Sequence, residues 1–237
     1  MLARFAREHG ITFPLLSDRG SAVIRRYGLL NPAYAPDSRA FGVPYPGTFV
    51  RDAGGRVVAR YFEAAYQERN TVASILTRAG QPGQGPIVTA DSAQLAMQAM
   101  ASDGVVAPGH RITLRFDVTP ARGMHVYAPG KHDYQVIRVQ FTSQPWLITH
   151  PMVYAPSEIY HFAPLDERVE TYQRPFTLSQ DVTIAATPEA QKALAGRTAL
   201  EIRGRLEYQA CDDRVCYAPA SLPFTFPLAV APLVAPK

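Results

Sequence analysis

No stretch of the 237 residues approaches the roughly 18–20 consecutive apolar positions that a membrane-spanning helix needs. The nearest run, Pro227 to Pro236, is punctuated by three prolines, so no membrane span is expected in this chain. Charge is sparse as well: 19% of the residues are Asp, Glu, Lys or Arg, against about 25% in an average soluble protein. With 47% hydrophobic residues beside that figure, disorder over the whole length is excluded. Lysine is nearly missing, 3 against 21 arginines, a bias read as genomic composition. The arginines are scattered singly and form no basic stripe, which argues against nucleic acid as a partner. The start, Met1 to His9, lacks the apolar core of roughly 7–15 residues that marks a secretory signal. It interleaves apolar and charged residues at helical spacing instead, and a chain that begins inside an amphipathic helix reads as truncated.

What is present changes character along the chain. Residues 1–80 alternate helical and extended signals. Leu2, Phe5 and Ala6 make an apolar stripe that Gly10 stops, and Ile11 to Leu16 reads as a short strand. Ser17-Asp18 can cap a helix running to Tyr27, ended by Gly28. Thr48–Asp52 and Arg56–Phe62, around the turn Ala53-Gly54-Gly55, predict a β-hairpin, and Gln67 to Arg78 predicts a closing helix. That order suits an α/β layer. Gln81-Pro-Gly-Gln-Gly-Pro86 predicts a linker over 81–87, with domains at 1–80 and 88–237 on either side.

Beyond it the pattern has period two. Ile112, Leu114, Phe116 and Val118 alternate with polar residues, as do Ile137, Val139 and Phe141. The cleanest case sets Leu200, Ile202, Gly204, Leu206 and Tyr208 against Glu201, Arg203, Arg205 and Glu207. Met124–Ala128, Met152–Ala155, Val182–Ala186 and Leu222–Leu228 are further strand candidates, and Pro188–Leu194 suits one helical turn. Gln94–Ala101 fits helix or strand. Short strands separated by turns predict an antiparallel β-sandwich.

The two cysteines, Cys211 and Cys216, sit in Tyr208-Gln-Ala-Cys-Asp-Asp-Arg-Val-Cys-Tyr-Ala-Pro219, directly after the strongest strand. Four residues at a hairpin tip can bring two Cα atoms within the roughly 4.4–6.8 Å of a disulfide. So short a loop constrains the unfolded chain much less than a long one. Two readings stay open: a pair that pins the hairpin tip, and a pair that exchanges with a partner's cysteines, one thiolate attacking and the other resolving. Metal is the weaker idea, because zinc needs four ligands and none of the six histidines is paired in spacing beside the cysteines. No metal or cofactor is expected. Asp212 and Asp213 disfavour a thiolate at Cys211, and Arg214 opposes them.

The Tyr208-to-Pro219 segment, with Met124-His-Val-Tyr127 and Glu158-Ile-Tyr-His-Phe162 before it, resembles the N-terminal periplasmic domain of the thiol:disulfide interchange protein DsbD over roughly residues 88–230. The resemblance implies an immunoglobulin-like sandwich whose cysteine pair relays reducing equivalents between thioredoxin-like or other thiol/disulfide partners, in a periplasmic or extracytoplasmic setting. It implies Cys216 as the attacking thiolate and Cys211 as the resolving one. It also points to Phe162 as an aromatic cap and to Tyr127, His125 and Tyr217 as neighbours of the pair. The alternative role for Tyr127 and Phe162 is plain core packing.

The first segment is similar to the second half of a thioredoxin-like redoxin of the AhpC/TSA group, through Phe13-Pro-Leu-Leu-Ser-Asp18, Tyr27-Gly28 and Gly42-Val-Pro-Tyr-Pro-Gly-Thr-Phe-Val-Arg-Asp52. The resemblance makes Pro46 a candidate cis-proline. Residues 1–80 contain no cysteine, so a peroxidatic or exchanging nucleophile is missing there and peroxidase activity is not expected. About half of that fold is absent, which leaves apolar edges without cover. The expectation is therefore an α+β, two-domain chain: a partial thioredoxin-like α/β segment, then an immunoglobulin-like antiparallel β-sandwich carrying thiol–disulfide exchange at Cys211 and Cys216. The competing functions are a non-catalytic interaction module with a structural disulfide and a truncated peroxiredoxin-like antioxidant protein.

Overall fold

The computed structural model describes residues 2–63, 68–162 and 166–231. The chain divides into two compact units, Met1–Tyr66 and Gln67–Lys237.

In the first unit, α1 (Leu2–Glu8) buries no residue, and Arg4 and Glu8 pair one turn apart. Asp18 caps at one remove: its carboxylate accepts from the Val23 and Ile24 N–H groups, the first turn of α2 (Ala22–Arg26), after a 3-10 turn at Arg19–Ser21. Gly28, at φ +67°, ends that helix. The predicted hairpin forms as β1 (Gly47–Arg51) paired with β2 (Val57–Phe62). The strand expected at Ile11–Leu16 does not form. The β1–β2 pair is the whole sheet of this unit among the described residues, so that segment has no ladder to join.

The peptide bond preceding Pro46 is trans, which corrects the cis expectation. Trans is the lower-energy state unless a tight turn selects the other. Here the chain runs extended into β1, with Tyr45 N–H donating to the Leu29 carbonyl and the Pro46 carbonyl accepting from Glu63 N–H. No apolar side chain among the described residues of this unit is fully buried; Phe13, Leu16, Val23 and Tyr27 are all more than half exposed.

The second unit starts earlier than composition suggests. The helix expected over Gln67–Arg78 is shorter, α3 (Val72–Arg78), and β3 (Arg69–Asn70) precedes it, pairing in parallel with β7 (His110–Pro120). The Thr71 side chain caps α3 by accepting from Ser74 N–H. Ile75 is buried, and Arg78 pairs with Asp181 at 2.8 Å. The Gly- and Pro-rich stretch is an edge of this unit and not a free linker: Gln84 and Gly85 N–H groups donate to the carbonyls of Ser102 and Ala101. Glycine is required at 83 and 85 because a Cβ there would collide with the Ala101 and Asp103 carbonyls.

Two sheets face each other. One runs β10 (Leu147–Val153), β13 (Phe176–Ile184), β7, β5 (Leu95–Ala101), β4 (Ile87–Asp91); the other β6 (Val105–Val106), β16 (Ala220–Val230), β14 (Ala199–Tyr208), β9 (Arg138–Phe141). The period-two residues fill the space between them. Ile112, Leu114, Phe116 and Val118 are buried from one side and Leu200, Ile202, Leu206 and Phe226 from the other. Phe116 touches Phe224 and Phe226 across the gap. This is an immunoglobulin-like antiparallel β-sandwich, in which, among the described residues, only the short β3 and β6 pair in parallel. The ambiguous 94–101 stretch is a strand because its alternate residues Leu95, Met97, Ala99 and Ala101 all reach the core. The turn predicted at Pro188–Leu194 is α4, capped by Thr187.

Candidate functional site

A third, smaller sheet carries the cysteines. Its order is β11 (Glu158–Phe162), β12 (Glu167–Tyr172), β8 (His125–Tyr127), β15 (Ala210–Cys211). Alternation along β8 decides what faces what: Val126 joins the main core, while Tyr127 packs with Val169 and Cys211 in a separate cluster. In register across the strands, Cys211 stands opposite His125 and Ala210 opposite Val126.

Cys211 and Cys216 are disulfide-bonded, their Cα atoms 4.1 Å apart, facing each other as an antiparallel bridge. Asp212 explains how four residues close so small a loop. One carboxylate oxygen accepts from Arg214 N–H at 2.8 Å and Val215 N–H at 2.6 Å, and the other from the Tyr217 hydroxyl at 3.1 Å. Those bonds, the Arg214 N–H foremost, hold the Asp212 carboxyl below its ordinary range. The two sulfurs are unequal: Cys211 is 1% exposed, whereas Cys216 lies at the surface.

Both cysteines line a cavity of about 70 Å³ walled by His125, Tyr127, Tyr134, Tyr160, Phe162 and Val169, with Asp212 and Arg214 at its margin. The Tyr127 hydroxyl sits 3.1 Å from Cys211 Sγ and 3.5 Å from Cys216 Sγ. Tyr134 stacks face to face on Tyr127, centroids 4.1 Å apart, and donates its hydroxyl to Glu167 at 2.7 Å. Burial, then the neighbouring Tyr134 and Glu167, push the Tyr127 phenol well above its ordinary value, so it stays protonated. The His125 ring packs tilted against Tyr160, centroids 4.2 Å apart. Burial lowers its pKa, with Asp212 pulling the other way.

Five residues singled out by sequence, Cys211, Cys216, Tyr127, His125 and Phe162, thus meet in one cavity. Tyr217 lies outside that lining and braces the loop through Asp212. Pro46 belongs to the other unit. Sequence reasoning missed Tyr134, Glu167 and Tyr160. The aromatic run Tyr127, His132, Tyr134 was a visible signal for the first, since three rings in eight residues fall together here; Glu167 carried none. Among the described residues, no three of His, Cys, Asp and Glu gather as a metal-binding group.

Comparison with known proteins places this geometry. Residues 1–60 match the AhpC/TSA family model, and residues 92–226 match the model described as thiol:disulfide interchange protein DsbD, N-terminal. No curated protein matches. Among solved structures, the N-terminal periplasmic domain of ScsB from Proteus mirabilis is 14% identical, with a TM-score of 0.40 over 61% of this chain and 51% of that one. This chain thus spans about half of that domain's length. The yeast GGA1 GAE domain is 9% identical, with a TM-score of 0.32 over 60% of this chain and 98% of that one. The DsbD match covers more than half of the sequence and includes every residue that lines the cysteine cavity, which ties the bonded pair to thiol–disulfide exchange. The chain belongs to the DsbD N-terminal family of thiol:disulfide interchange proteins.

Proposed function

We propose that the sandwich exchanges disulfides with thioredoxin-like or similar redox proteins in a periplasmic or extracytoplasmic compartment, with Cys216 meeting the partner and Cys211 resolving. The observation that carries this reading is the asymmetry of the pair: one sulfur at the surface, the other enclosed. A partner's sulfur reaches Cys216 without opening the fold, and only Cys211 stands close enough to displace that partner afterwards. Tyr127 serves the buried sulfur with a hydrogen bond, since Cys211 has little access to water. Phe162 and His125 wall the cavity and limit what enters it. Residues 1–80 bring no thiol of their own, so the exchange runs through the sandwich.

The test is capture. With Cys211→Ser, a thioredoxin-like protein whose second active-site cysteine is replaced by serine and whose first is activated as a mixed disulfide with a small thiol forms a stable mixed disulfide at Cys216, the small thiol leaving; with Cys216→Ser, none accumulates. Capture by neither variant, together with loss of thermal stability in both, would assign the pair to holding the hairpin tip.

A further inference from the structure

Two sulfurs that must rejoin after each exchange need their backbones held while the bond between them is open. The cysteine loop carries a set of hydrogen bonds that do not run through sulfur. Outside the pair, Tyr217 N–H donates to the Ala210 carbonyl at 3.0 Å; inside it, Asp212 N–H donates to the Val215 carbonyl at 3.0 Å. The Gln209 side chain fastens the outer rung, donating to the Tyr217 carbonyl at 3.2 Å and accepting from Gln135 N–H at 3.1 Å. Within the loop, the Asp212 carboxylate gathers the Arg214 and Val215 N–H groups and the Tyr217 hydroxyl. Asp213 and Arg214 are 80% and 85% exposed, so the interior of the loop is organised by Asp212. None of these donors or acceptors is altered when the S–S bond is reduced.

We propose that Asp212 is a positioning residue for exchange, holding the 211–216 loop closed in the dithiol as well as in the disulfide; this rests on the exchange function proposed above. With the frame kept, Cys216 stays at the surface to meet a partner and Cys211 stays beside it, enclosed. In the resolving step the Cys211 thiol gives up its proton to the solution and the thiolate attacks Cys216 Sγ. The Cys211–Cys216 bond forms, the bond from Cys216 to the partner's sulfur breaks, and that sulfur leaves as a thiolate with the electron pair. A loop that had opened would first have to be reordered, at a cost in backbone entropy, before the two sulfurs met. A carboxylate next to a cysteine also disfavours its thiolate. Here the charge is turned to two loop amides and a phenol, so its effect through geometry outweighs its effect through repulsion.

The test uses the full chain and glutathione disulfide. The reduced protein captures glutathione at Cys216 and releases it as Cys211 closes the pair, both steps followed by acid quench and mass spectrometry. Asp212→Ala is expected to slow release by about 10-fold, the equivalent of the loop hydrogen bonds it removes, and to leave capture at the exposed Cys216 unchanged. Asp212→Asn, whose side-chain oxygen still accepts from the two amides, recovers most of the release rate. Asp213→Ala, which removes the neighbouring exposed charge, releases at the wild-type rate. In the reduced wild type, the Arg214 and Val215 amides stay protected from hydrogen exchange. Exchange of those amides at free-peptide rates once the pair is reduced would overturn the proposal. So would release from Asp212→Ala and Asp212→Asn that is as fast as the wild type or faster, the result expected if charge mattered more than loop closure. Both of those results leave exchange itself intact. A wild-type pair that never captures glutathione would overturn the exchange function and the role of Asp212 with it.

Discussion

A hydroxyl placed between two sulfur atoms matters most when one of them carries charge. In the bonded pair the Tyr127 O–H meets weak acceptors; in the open pair it meets a thiolate or thiol in a site with little water. Hydrogen bonds to charged groups contribute about 1.5–3 kcal/mol. Removing this one with Tyr127→Phe is expected to lower the pair's reduction potential by roughly 30 mV, the equivalent of about 1.4 kcal/mol for two electrons. Equilibration against glutathione measures it, and an unchanged potential would make Tyr127 a packing residue. The histidines speak to pH. Burial lowers the pKa of both His125 and His110, so near pH 6.5 the unfolded chain takes up protons that the folded chain resists. Stability therefore falls as pH drops through about 6.5, until the folded-state groups titrate as well. The urea midpoint should be lower at pH 5.5 than at pH 7.5, and His125→Gln should narrow the gap.

At the scale of elements, β14 shows why period two was readable. Leu200, Ile202, Leu206 and Tyr208 go inward, and the outward charges pair along the strand and with its neighbour, Arg205 and Arg138 both meeting Glu207 at 2.8 Å. Gly204 is the exception with a reason: the Phe224 ring and the Gln140 carbonyl occupy the space a side chain would need. Gly204→Ala should cost about 1–3 kcal/mol by overpacking, measured by chemical denaturation. The hairpin of β11 and β12 was harder to read, because Glu158–Phe162 alternates exposed residues with half-buried ones and faces a small cavity instead of the main core. Its residues mattered in the sequence only as a motif. That is also why Glu167 was invisible: its partner, Tyr134, is 33 residues away on a loop.

For the whole molecule, the two units differ in what holds them. Buried apolar side chains begin at Ile75 among the described residues, so the packed core belongs to the second unit. Composition placed the division at the glycines and prolines of 81–86, but those residues serve close backbone approach, a use that composition cannot tell from a linker. The helix before them is fastened by the burial of Ile75, by the Arg78–Asp181 pair and by the Thr113 hydroxyl donating to the Ser74 carbonyl, the last two reaching residues more than thirty positions away. A chain of residues 67–237 should therefore be more stable than one of 88–237 by at least about 2 kcal/mol, since burial of one Ile contributes about 1.5–3. Equal denaturation midpoints would return the helix to the first unit.

The central claim is that this disulfide opens and closes in use. Its reduction potential, read from the equilibrium with the glutathione couple at pH 7, should lie above about −300 mV, in the range of pairs that exchange with protein partners. A potential well below that value would mark a bond that stays shut, and the account of the cavity around it would be wrong.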